Sequence, residues 1–343
     1  AAFHLHTMRP LARFYSKWAL TQLSEDLEPE YQSSEEDVEV SQVEDEVQVR
    51  NTHVVAHDLD LALSKSEEIR IFRAFYRYQT FHHLFGFTKG RRDATLGHHE
   101  VNELFCGQFE PWENEALSCV DAFVREQYDD AVANLRSQRD LDSPRFWQLA
   151  SNENIPKPEG TFDFINRYND TDLLEGIVSH GLRLLVQLLE AREKRDTSTY
   201  CLVIGRYITY REDRSATLQD ALSIHAQQVR RVVSHGGTSD AELNPRDAAQ
   251  NTRQVIQFIG DAAPPDKTQP PFSWVLLWEG VYSNMYGEFV PSSLQRWGWV
   301  MWDQHRWDGI SQSELFQEQW DPDRNKKIQV DLARTLGELA LWQ

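Results

Sequence analysis

No stretch of this chain approaches the roughly 20 consecutive apolar residues that a membrane-spanning helix needs. The nearest, YCLVIGRYI at 200–208, is too short and contains Arg206. Cysteine is scarce: Cys106, Cys119 and Cys201 lie far apart and form no CxxC pair. That excludes a disulfide framework and suits a reducing setting, so an intracellular location, cytoplasmic or nuclear, is expected. Positive charge is also in deficit, with 35 Lys and Arg against 54 Asp and Glu, a net charge of −19. Phosphate backbones and anionic membrane surfaces are held by concentrated basic residues, so neither nucleic acid nor membrane is an expected partner. There is no GxSxG, no Cys within a recognisable Cys/His signature, and no glycine-rich phosphate loop. No residue is therefore singled out as catalytic or cofactor-binding.

Aromatic residues are plentiful: seventeen Phe, eleven Tyr and eleven Trp among 343 residues. Large rings remove much area from water, so a modest number of them can hold helices together. The length suffices for a sizeable core in one large or two ordinary domains. The first residues, AAFHLHTMRP, carry no initiating Met, as expected of a fragment; whatever precedes Ala1 stays open.

The expected fold class is mainly α, an irregular multi-helix globular domain with an acidic disordered insert. Residues 1–23 read as an N-terminal helix: Leu11, Phe14, Tyr15 and Trp18 follow helical spacing, and Pro10 suits a first turn. Residues 24–50 hold eleven acidic residues against one arginine, a composition that predicts disorder. Residues 51–343 form the helical globular domain. Within it, 64–86 is the clearest helix, with Ser64 and Glu67 at capping-box spacing and Gly86 as a stop. Its two apolar stripes predict a central, buried position. A third stripe, Arg70, Arg73 and Arg77, is expected to pair with carboxylates of neighbouring helices.

A second helix starts at Pro111 and gathers Trp112, Ala116, Val120, Phe123, Val124 and Tyr128. A third is expected over 171–194, capped by Thr171, and a fourth over 215–237, ending in two glycines. The stretch TYCLVIGRYITY at 199–210 is β-branched enough to leave strand and helix both open. Pro/Gly loops at 155–160 and 264–271 connect these parts.

Two constellations invite a metal reading. His82, His83, His98, His99, Glu100, Glu103 and Cys106 are zinc's ligand types, but adjacent histidines on a helix point about 100° apart and no HExxH is present. In DPDRNKKIQVDL at 321–332, Asp321, Asp323 and Asn325 match the first ligands of a calcium loop. Lys326 and Leu332, however, replace its glycine and its bidentate glutamate. No metal site is expected.

The segment LQRWGWVMWDQHRW, 294–307, holds four of the eleven tryptophans. A helix starting after Pro291 places Leu294, Trp297 and Met301 on one stripe and Trp299 and Trp302 on another, which predicts a core position. Asp303 and Arg306, three apart, are expected to pair with each other.

The block SWVLLWEGVYSNMYGEFVPSSLQRWGWVMWDQHR, 273–306, resembles a region near the end of a group of uncharacterised fungal F-box-like proteins. EEIRIFRAFYRYQTFHHLFG (67–86) and FEPWENEALSCVDAFV (109–124) are similar to further blocks of that group. The resemblance implies a helical region that follows an F-box, the module that docks on Skp1. No F-box is visible here, so Skp1 is an expected partner only if one precedes Ala1. The reading is a non-enzymatic interaction or adaptor protein with a protein partner. The alternative is an enzyme or small-ligand binder whose pocket is assembled in the aromatic-rich C-terminal half. The net charge favours a basic partner.

Overall fold

Ser64 opens the central helix. Its side chain accepts from the Glu67 amide, while the Glu67 carboxylate accepts from the Ser64 amide at 2.9 Å, the reciprocal cap expected from the sequence. The computed structural model describes residues 2–27, 62–86, 98–137, 170–196, 217–234, 258–261, 269–277 and 286–307. Over these residues the fold is mainly α, without a strand. The stretches 199–210 and 321–332 lie outside them.

A π-helical turn, His4–Met8, leads into α1 (Arg9–Leu27). Pro10 falls in the first turn of α1, as expected, but the π-helical turn already precedes that helix. The Arg9 amide reaches back five residues to the His4 carbonyl, and this wide turn precedes a residue that has no N–H to donate. Leu11, Tyr15, Ala19 and Leu23 recur every four residues and are buried, while Phe14 and Trp18 sit at the rim of the core. The helix continues through Leu27, four residues into the segment expected to be disordered; residues 28–50 lie outside the described residues.

α2 (Lys65–Phe85) ends at Gly86, as expected. Only one of its two apolar stripes is core: Ile71, Phe75, Tyr78 and His82 are buried, whereas Ile69 and Phe72 are half-buried and Tyr76 is 41% exposed. The helix lies on the wall of the core and presents a second, aromatic edge outward. α3 (His98–Leu104) leads through a 3-10 turn, Cys106–Gln108, into α4 (Pro111–Ser137). α4 packs on α1 and α2, and its six predicted core residues, Trp112 to Tyr128, are all buried.

The helix expected over 171–194 is two helices, α5 (Asp170–Val178) and α6 (Leu182–Glu193). It begins at Asp170, so Thr171 is inside it and does not cap it. The chain breaks at Gly181, which has φ +74°, a conformation that side chains disfavour. The freed Leu182 amide donates to Gln79 Oε1 of α2 at 2.8 Å. α7 (Leu218–Ser234) starts later than expected, at a cap made by Thr217 with Asp220.

The C-terminal aromatic segment is buried but is not one helix. α8 (Phe272–Leu277) precedes a 3-10 turn, Gly287–Phe289, and α9 (Ser292–Trp297). Gly298, at φ +64°, ends α9; a 3-10 turn, Trp299–Met301, and extended Trp302 then lead to α10 (Gln304–Trp307). A Cβ on Gly298 would lie 2.5 Å from the Tyr15 hydroxyl, so this turn seats directly on α1. Trp297, Trp299, Trp302 and Trp307 are all fully buried, as is Trp274 of α8, which stacks on Trp299 at 5.7 Å. No described helix is long and apolar enough to cross a membrane.

Candidate functional site

Because the tryptophan segment faces inward, its polar neighbours are structural. Arg306 is 3% exposed and grips Glu67, which is fully buried, at 2.6 and 2.8 Å; it also donates to the Ala62 carbonyl at 2.7 Å. The same carboxylate accepts from the Asp303 amide at 3.1 Å. Asp303 does not pair with Arg306. It accepts from Ser64, from Ser66 at 2.5 Å and from Arg70 at 2.7 Å. Partial burial pushes Asp303 up, but the two serine hydroxyls and Arg70 outweigh it and hold the carboxyl below its ordinary value. The expected i,i+3 pair therefore gives way to two pairs that tie α10 to the start of α2. A buried, two-pronged guanidinium–carboxylate contact outweighs an exposed local one.

Glu67, Asp303 and His305 lie close enough to share a metal ion. The carboxylates are already committed to two guanidinium groups, two serine hydroxyls and backbone amides, so a cation would have to displace Arg70 and Arg306. This donor set does not suit a metal. Of the earlier histidine–cysteine set, His82 is buried against Tyr78 and Phe81, and burial pushes the Cys106 thiol up to about 12. The His98 and His99 side chains lie outside what is described.

One other buried carboxylate went unnoticed in the sequence. Glu115 on α4 is fully buried and accepts from Trp299 Nε1 at 3.0 Å and the Gly287 amide at 2.7 Å. Burial pushes it up to about 8, against the pull of its hydrogen bonds from Trp299, Gly287 and Gln295. It pins the aromatic segment to α4. Likewise His225 on α7 bonds the Tyr286 hydroxyl and is pushed down to about 4 by burial.

A solvent-accessible cleft lies along α2. Its volume is about 70 Å³, and it is lined by Ile69, Arg70, Arg73 and Arg77 of α2, Trp112, Glu113 and Ala116 of α4, Asp261, the 269–271 segment and Val300. The arginine stripe read from the sequence thus forms one wall. Its pairing meets the expectation at Arg77 and departs from it at Arg70 and Arg73. Arg77 bonds Glu113 of the neighbouring helix and lies 4.4 Å over the Phe109 ring. Arg70 bonds Asp261 at 2.5 Å and Asp303, neither of which is helical. Arg73 has no hydrogen-bond or ion-pair partner among the described residues, and is half-buried. On the same helix as Arg73, Phe72 and Tyr76 pack with His4 and Phe3: His4 stacks on Tyr76 and meets Phe72 edge-on at 4.7 Å. The stripe was legible; which of its three arginines stays unpaired was not, because the partners come from distant segments.

Comparison with family models, with curated proteins and with solved structures finds no match.

Proposed function

We propose that this chain is a non-enzymatic interaction or adaptor protein, with the outward face of α2 as its contact surface. The observation that carries the reading is Arg73, without an ion-pair partner among the described residues, on the same helix as the exposed Tyr76 and the half-buried Phe72, which pack with His4. Arginine and tyrosine are the side chains on which interface energy concentrates, since each offers a large contact area with a polar tip. Two details weigh against the enzyme reading. The aromatic C-terminal rings are buried in the core. The cleft, about 70 Å³, is well below the several hundred Å³ of common cofactor sites.

The sequence resemblance extends the proposal. An F-box ahead of Ala1 would join this helical region to Skp1 and make it the partner-binding part of an intracellular ubiquitin-ligase adaptor, cytoplasmic or nuclear. Co-purification of the full-length gene product with Skp1 tests that extension.

The contact surface is tested with tagged chain as bait, comparing the parent with Tyr76→Ala by quantitative capture and mass spectrometry. The expected result is a protein retained in stoichiometric amount by the parent and lost with Tyr76→Ala, both melting alike. Equal capture by the two, or none by either, contradicts this surface.

A further inference from the structure

We infer that the cleft beside α2 is a carboxylate-binding site, and that its occupant is an acidic side chain of a partner protein. The inference rests on the interaction reading above and adds the chemistry of what is recognised. Three guanidinium groups line one wall, and the two carboxylates in the lining are each already held: Glu113 by Arg77, Asp261 by Arg70. Among the described residues, Arg73 is the one of the three with an unmatched charge. A guanidinium presents a planar fork of donors, and a carboxylate is the group that fills such a fork with two parallel hydrogen bonds. An ammonium ligand or a metal cation would add to that unmatched positive charge instead of balancing it.

Size and lining narrow the occupant. A water needs at least about 10–15 Å³ of such space, so about 70 Å³ accepts a carboxylate with a short aliphatic stem and is too small to enclose a nucleotide or sugar phosphate. Ile69, Trp112, Ala116 and the two prolines, Pro270 and Pro271, supply an apolar wall for that stem. Tyr76, exposed on the same helix three residues from Arg73, offers contact area for the polypeptide that carries the acid. The overall charge of −19 does not forbid this. At physiological ionic strength, fields beyond about 8 Å are largely screened, so Arg73 dominates inside the cleft. A basic partner with one acidic anchor satisfies both the long-range and the local demand.

The experiment titrates the full chain with three probes: a blocked tripeptide with a central glutamate, its glutamine counterpart, and sodium acetate. Arginine Nε–Hε NMR resonances are read, with the Arg73 signal assigned from its absence in Arg73→Met. The glutamate peptide is expected to shift the Arg73 signal saturably and the glutamine peptide to leave it unmoved. Arg73→Lys, which keeps the charge but loses the fork, is expected to bind the glutamate peptide about tenfold more weakly. Arg73→Met is expected to melt like the parent. No shift with any probe, or equal shifts with both peptides, overturns the site. A shift with acetate but not with the glutamate peptide overturns the assignment to a partner's side chain. If Arg73→Met captures the partner as well as the parent does while Tyr76→Ala does not, the cleft proposal falls and the interaction reading stands.

Discussion

Glu115 has no opposite charge beside it. Three hydrogen-bond donors do not make up for its complete removal from water, so its value rises from 4.5 to about 8. The folded state then holds a proton that the unfolded chain releases above pH 4.5. Stability falls as pH rises from about 4.5 to 8 and levels off beyond, by on the order of 1 kcal/mol per unit. His225, lowered from 6.5 to about 4, acts oppositely: the unfolded chain takes up a proton first, so stability is lost as pH falls through that window. Urea unfolding of parent and Glu115→Gln at pH 5, 6.5 and 8 separates the two contributions. The glutamine variant gains on the parent as pH rises; parallel pH profiles would show that Glu115 is ionised in the folded protein.

At the scale of elements, the turn at Gly298 decides how the tryptophan segment sits. Gly298→Ala places a Cβ against the Tyr15 hydroxyl at a left-handed backbone position, which costs about 1–3 kcal/mol in denaturant unfolding. An unchanged midpoint would mean that the turn does not seat on α1. Trp302 is fully buried and its Nε1 donates to the Trp297 carbonyl at 2.6 Å. Trp302→Ala therefore costs about 3–5 kcal/mol by calorimetry or urea unfolding, through lost burial and the cavity left behind. A variant that melts like the parent but loses a partner would make the segment a binding platform instead. The sequence carried these elements unevenly. The capped start of α2 and the core stripe of α4 were legible because local spacing decides them. The break at Gly181 was not, since the leucine pattern runs through it and the receiving Gln79 is 103 residues away. The tryptophan spacing predicted burial correctly but suggested one helix, where Gly298 reverses the chain. In the candidate site, the arginine stripe was visible, while Glu113 and Asp261 entered only through the fold.

Across the whole molecule, charge is used in two ways. Arg306 and Glu67 hold the C-terminal aromatic segment to the start of α2 from inside, while Arg73 on the same helix is left for a ligand. Deleting either guanidinium should therefore have very different consequences. Arg306→Met strips a partner from a buried carboxylate, which costs about 3–5 kcal/mol. Arg73→Met removes a cation that has no ion-pair partner among the described residues, so its change stays within about 0.5 kcal/mol. Side-by-side urea unfolding of parent, Arg306→Met and Arg73→Met at neutral pH tests this division most directly. The account predicts a sharply lowered midpoint for Arg306→Met and an unchanged one for Arg73→Met. Equal losses for both variants would make Arg73 a structural residue and contradict it.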